Sequence, residues 1–126
     1  MAYAEQLREA QDRFARHVAY LINFIHSPEN GFKISLGEVL RTEYQQAEYL
    51  RKGLTRTNDS KHLLKLAIDI NFFKDGRLLL SEKSRHDEDF ELLKPIGEYW
   101  QTLHPKNRWG GFFTGAWDMA HFQTDI

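Results

Sequence analysis

Residues 60–73 read SKHLLKLAIDINFF, and the placement of this stretch decides the fold. It carries His62 and Asp69, seven positions apart, and runs into a bulky apolar segment. In a straight strand an odd separation puts two side chains on opposite faces, whereas seven residues of helix bring them nearly into line. The segment from Ala67 to Phe73 decides between them. It is β-branched and aromatic, with Ile68, Ile70 and Phe72 alternating against Asp69 and Asn71. Asp69 is therefore predicted on a strand, with Ile68, Ile70 and Phe72 facing the core. His62 falls in the irregular segment before it, free to turn towards the same point.

A second stretch, WDMAHF from Trp117 to Phe122, places Asp118 three residues before His121. Two histidines and one carboxylate, with a second carboxylate left over, are the components of a catalytic zinc site, which keeps one position open for water. Spacing alone does not establish one. With six histidines in the chain such an arrangement arises by accident, and a lone His or Asp is usually structural or solvated.

Working outward, Phe32 to Leu36 alternates as a strand and continues, with an irregularity at Gly37, through Val39 and Leu40. Thr42 followed by Gln45 is a capping-box pattern that opens a helix to about Lys52, stopped by Gly53. Leu54 to Asp59 reads as a polar loop. Upstream, Tyr3, Leu7, Ala10, Phe14, Val18, Leu21, Ile22 and Ile25 form one apolar helix face, ended by the turn residues 27–31. Its mixed charges fit a helix packed on a core better than a membrane-seeking one. Downstream, Lys74-Asp75-Gly76-Arg77 is a hairpin turn with Leu78-Leu79-Leu80 as the return strand. Ser81 to Asp89 is charged and expected to be exposed. A helix follows, reset at Pro95 and closed at residues 104–107. The prediction is one α+β domain spanning 1–126: a small, mostly antiparallel sheet with helices packed to one side.

Composition narrows the chemistry. The 126 residues suit one domain, with 41% apolar and 13% aromatic content typical of a globular chain. A net charge of −1 offers no field for nucleic acid. No stretch reaches the roughly 20 apolar residues that span a bilayer, so no membrane insertion is expected. Cysteine is absent, which leaves His and carboxylates to hold any metal. Glu5, Arg8, Glu9 and Asp12 interrupt the N-terminus, so no cleaved signal is expected there.

SKHLLKLAIDINFFKDG, followed by RWGGFF and WDMAHFQ and preceded by SLGEVLRTEYQQ, resembles the zinc D-Ala-D-Ala carboxypeptidase and L-alanyl-D-glutamate endopeptidase family, to which many compact phage endolysins belong. The resemblance runs from about Leu36 to Gln123. It implies a fold like that of the D,D-peptidases and Hedgehog domains, with Zn2+ held by His62, Asp69 and His121. Asp118 would be the general base and Arg41 would steady the oxyanion of the tetrahedral intermediate. Ser60 would bind substrate or orient His62. Trp109 and Trp117 are candidate walls of a peptide cleft, with Trp109-Gly110-Gly111 equally readable as a turn packed on the core. His17, His26, His86 and His104 carry no motif. Asp87-Glu88-Asp89 lacks the loop pattern of a calcium site and suits a helix N-terminus.

The expected function is a monomeric zinc peptidase of the peptidoglycan stem peptide, without a separate wall-binding module. It would wait in the cytoplasm of the infected cell and reach the wall after release. AIDINFFKDG favours the L-alanyl-D-glutamate bond; D,D-carboxypeptidase action is the alternative within the family. A metal-stabilised binding protein and a cofactor-free phage structural protein are readings from other classes.

Overall fold

The computed structural model describes residues 2–53, 60–114 and 118–126. The expected polar loop 54–59 and Trp117 lie outside the described residues. In chain order the elements are α1 (Tyr3–Ile25), β1 (Lys33–Leu36), α2 (Glu43–Arg51), a 3₁₀ turn (Lys61–Leu64), β2 (Ala67–Lys74), β3 (Arg77–Leu78), a 3₁₀ turn (Lys83–Arg85), α3 (His86–Thr102), β4 (Arg108–Trp109), a 3₁₀ turn (Gly110–Phe112) and β5 (His121–Gln123). The result is an α+β domain, as the strand and helix patterns predict.

β2 is the axis of the sheet. It pairs antiparallel with β1 along one edge, where Ile34 faces Phe72 and Leu36 faces Ile70. Along the other it pairs with β5, where Asp69 lies opposite His121. β4 extends the sheet beyond β5, and β3 pairs with the far end of β2. The alternation is realised: Ile68, Ile70 and Phe72 are buried, whereas Asp69 is half-buried and Asn71 exposed.

The buried face of the sheet meets α1 and α3. Edge-to-face ring contacts run across the layers: Phe14 on Trp100 at 5.7 Å, Trp100 on Phe122 at 6.1 Å. Phe122 in turn lies 6.2 Å from Phe72 of β2. Each such buried side chain contributes about 1.5–3 kcal/mol relative to exposure. Ala10, Phe14, Leu21 and Ile25 of α1 and Leu93, Ile96 and Trp100 of α3 complete this core. Tyr3, expected on the apolar face of α1, is 60% exposed, at the first residue of the helix. Among the described residues no helix is long and apolar enough to cross a membrane.

Three expectations are corrected. The return strand is two residues long instead of reaching Leu80. Leu80 adopts φ +72°, and its N–H leaves the ladder to donate to Asp89 Oδ2 at 2.8 Å. The 81–89 segment is not uniformly exposed, since Asp89 is fully buried and receives Arg77 Nη2 at 2.8 Å. α3 also runs through Pro95 without a break. Pro95 and Glu91 both face solvent, so the carbonyl that loses its helical donor can be met by water. The acidic run does occupy the first turn of α3, where the helix dipole favours it.

Candidate metal centre

Three backbone placements bring the ligand candidates together. Asp69 and His121 are directly paired across β2 and β5 and point to the same outward face. His62 arrives from the preceding 3₁₀ turn. Ser60 caps that turn, its Oγ accepting the His62 backbone N–H at 3.2 Å, and Lys65 ends it in a left-handed conformation with φ 56°. Ser60 is thus part of the turn that carries His62. His62 Nε2 lies 3.3 Å from Asp69 Oδ1, and His121 Nδ1 lies 3.3 Å from the same oxygen. One ligand atom from each residue falls within 4.8 Å of the other two.

These contacts fit a cation better than a hydrogen-bonded cluster. His62 Nδ1 donates to Val39 O at 3.0 Å, because a carbonyl can only accept. That leaves Nε2 of the neutral ring with a lone pair, buried and without a hydrogen-bond partner. His121 repeats the arrangement in mirror form: Nε2 meets Gln123 Oε1 at 2.8 Å, and Nδ1 faces Asp69. One imidazole lone pair, a second ring nitrogen and a carboxylate therefore converge on one place, which is costly unless positive charge, as a proton or a cation, occupies it. Tetrahedral ligands at zinc bond lengths of about 2.0–2.2 Å stand roughly 3.3–3.5 Å apart, matching both Asp69 contacts. The donor set of two imidazoles and a carboxylate also suits zinc.

Electrostatics agree with the geometry. Burial opposes charge on Asp69, but the hydrogen bond with His121 and the neighbouring imidazoles of His121 and His62 outweigh it and hold the carboxyl well below the usual range. Burial likewise disfavours protonated His121, yet the bonds to Asp69 and Gln123 raise its pKa above the ordinary value. In both cases the group pairs best with the opposite charge, as metal-ligating groups do when the ion is exchanged for a proton.

A bracket of main chain fixes the ligands from behind. Gly37 N–H donates to Asp69 O at 2.7 Å, and Asp69 N–H donates to Glu38 O at 3.0 Å. Arg41 N–H donates to His62 O at 3.2 Å, alongside the Val39 bond to the His62 ring. The close approach explains glycine at 37, where a Cβ would stand 2.9 Å from Asp69 O. The Arg41 side chain is itself held: it pairs with Glu38, donates from Nη1 to Gln46 Oε1 at 2.9 Å and lies 4.8 Å from the Tyr49 ring. The bracket carries no motif beyond Gly37 interrupting a strand pattern. Gln123 was equally unmarked, although a residue two after His121 on a strand shares its face.

Asp118 stands apart from the triad, on the turn before β5. Its N–H donates to Gly110 O at 2.8 Å, and its own carbonyl accepts His121 N–H at 3.1 Å. Its carboxylate also accepts from Ala120 N–H, so it caps the turn as well as facing the site. The residue is exposed, but protein packed around the carboxyl and the charge of Asp69 raise its pKa above the usual value. Gly110 is obligatory here, since a Cβ would overlap Asp118 O.

Trp109 is corrected. It is fully buried, so its ring does not present to a cleft. Its indole lies against Gly97 and Gly111, and Nε1 donates to Met119 O at 2.9 Å, next to Asp118. The turn packed on the core is the reading the geometry matches. The half-buried Phe113 lies 5.8 Å from the His121 ring. The unmotived His17 and His104 pack 6.3 Å from each other, and His86 meets Leu80 O at 3.2 Å.

A family described as D-alanyl-D-alanine carboxypeptidase matches residues 54–124, more than half of the chain. The fold is similar to the crystal structure of the L-Ala D-Glu endopeptidase ChiX of Serratia marcescens, with a TM-score of 0.68 over 97% of this chain and 85% of that one. At 22% identity that likeness bears on the fold alone. No curated protein matches the chain. With the motif halves of the sequence brought to one point in space, the chain belongs to the D-alanyl-D-alanine carboxypeptidase family of peptidases.

Proposed function

We propose that this protein is a zinc-dependent peptidase of the bacterial peptidoglycan stem peptide, cutting the L-alanyl-D-glutamate bond. The observation that carries the reading is the convergence of His62 Nε2, Asp69 Oδ1 and His121 Nδ1, with the buried Nε2 lacking any hydrogen-bond partner. His62, Asp69 and His121 would hold the ion. Zinc bound there would supply Lewis acidity, polarising a carbonyl and lowering the pKa of water towards neutrality. Asp118, its pKa raised in the same site, takes the proton from the attacking water and returns it to the leaving amine. Arg41, positioned by Glu38 and Gln46, supplies the cation for the developing oxyanion. Ser60 serves by orienting His62. The Asp118 carboxylate, outside the ligand set, favours catalysis over a purely structural metal site, which has no use for a base.

The L-Ala–D-Glu assignment draws on the AIDINFFKDG stretch. A second reading, D,D-carboxypeptidase action, is favoured by the description of the matching family. Mass spectrometry of muropeptides digested with and without chelator separates them. New D-Glu N-termini that vanish with chelator support the endopeptidase; released D-Ala alone rejects it. The enzyme would act as a monomeric endolysin, reaching the wall from the cytoplasm after release.

A further inference from the structure

Two histidines that take no part in the metal centre meet on another side of the molecule. His17 of α1 and His104 of the turn after α3 are remote in sequence, yet their rings lie 6.3 Å apart with a tilt of 41°. His17 also stands edge-on to Trp100 at 6.4 Å and beside Tyr20 at 6.1 Å. Each ring is placed as a neutral group. His104 Nδ1 accepts the Lys106 backbone N–H at 3.1 Å, which requires its lone pair. His17 Nδ1 is buried without a hydrogen-bond partner, so a proton added there would be a donor with nothing to bond. The charges acting on the pair have the sign a protonated ring would carry. Arg13 and Arg16 of α1 face His17, and Arg13 and Lys106 face His104. The carboxylates close by are committed elsewhere, Asp12 to Arg16 at 3.0 Å and Asp125 to Lys61 at 3.1 Å. Among the described residues the histidine–carboxylate contacts belong to His62 and His121, not to this pair.

We propose that His17 and His104 form an acid-released clasp between α1 and the end of α3: neutral, they pack ring beside ring; protonated, they repel each other and the cations around them. Burial and those cations hold both imidazoles below the ordinary histidine value in the folded chain. Unfolding restores the ordinary value of about 6.5, so the unfolded chain takes up protons first. The stability that depends on neutral rings is therefore full above about pH 6.5 and is lost as the pH falls from there through the folded values. The loosened elements bear on the sheet, because Trp100, against which His17 stands, donates from Nε1 to Gln123 O of β5 at 3.0 Å. The clasp is a property of the chain and stands whether or not the triad holds zinc.

The test combines NMR titration of the imidazole C–H signals with urea denaturation at about pH 8 and about pH 5.5. His17→Phe keeps an aromatic ring against Trp100, and His104→Asn keeps an acceptor for the Lys106 N–H. In wild type both imidazoles should titrate below about 6.5. In His104→Asn the His17 midpoint should rise, since one like charge has gone. Between the two pH values wild type should lose more of its folded-to-unfolded ratio than the double variant, tenfold more for each unit by which folding lowers a midpoint. The triad histidines titrate in both proteins and cancel from the comparison. A wild-type midpoint at or above the ordinary value overturns the proposal, as does a His17 midpoint unmoved in His104→Asn. Equal acid losses in wild type and double variant overturn it too. Should a variant fail to fold, the wild-type titration decides alone.

Discussion

Gly97→Ala is a substitution for which local and tertiary physics give opposite signs. Gly97 lies well inside α3, where glycine costs about 1 kcal/mol relative to alanine. Propensity alone therefore makes the variant more stable. The tertiary contact opposes this. A methyl at 97 would overlap Cε3 and Cδ2 of Trp109 and stand 2.7 Å from its Cγ, against an ordinary contact of 3.4–4 Å. Trp109 has no free direction: it is fully buried, its other side rests on Gly111, and Nε1 is tied to Met119 O. Overpacking a site that cannot yield costs about 3 kcal/mol, the upper end of the common range. The net is a loss of about 2 kcal/mol, or roughly 8 °C in Tm for a domain of this size. Thermal denaturation followed by circular dichroism reads it directly. A Tm raised by a few degrees would refute the reasoning and show the indole free to move. Because Trp109 supports the turn carrying Asp118, turnover should fall more than zinc content does. A Gly97→Ala/Trp109→Leu double variant should regain part of the loss, as coupled sites do.

Asp118→Asn should retain zinc while losing about 10²–10⁴-fold in turnover, the usual weight of acid–base catalysis; elemental analysis showing an empty site would mean that Asp118 is a ligand. Asp89→Asn should cost about 2–3 kcal/mol at neutral pH, because a buried charged acceptor of Arg77 and Leu80 N–H is replaced. Burial alone would raise the Asp89 pKa, but those bonds outweigh it and depress the folded-state value. The gap between wild type and Asp89→Asn is thus full above about pH 4 and closes as pH falls through the folded pKa. Urea denaturation at a series of pH values checks the sign; a gap that widens in acid contradicts it.

The fold was legible where a local pattern had only one outcome. The alternation of Ile68, Ile70 and Phe72 fixed the faces of β2, and Thr42 with Gln45 forms the expected capping box. The ligand candidates were legible because His62, Asp69 and Asp118–His121 stand at family spacings. What was hidden depends on partners distant in sequence. Whether His62 uses Nδ1 or Nε2 is set by Val39 O, 23 residues away, and no spacing encodes that. Trp109 looked like a cleft residue because tryptophan beside glycines suits either a ligand or a packed turn. Only the approach of Gly97 on α3 shows which. Leu78-Leu79-Leu80 read as a strand because nothing local announced that Asp89 would draw the Leu80 N–H away.

The claim that matters most is that His62, Asp69 and His121 form one cation site. Its most direct measurement is zinc stoichiometry by elemental analysis after dialysis, for wild type and for His62→Ala, Asp69→Ala and His121→Ala, with folding checked by circular dichroism. The account predicts one zinc per wild-type chain and none retained by any of the three folded variants. A wild-type protein without bound metal, or a folded triad variant that keeps its zinc, would contradict it.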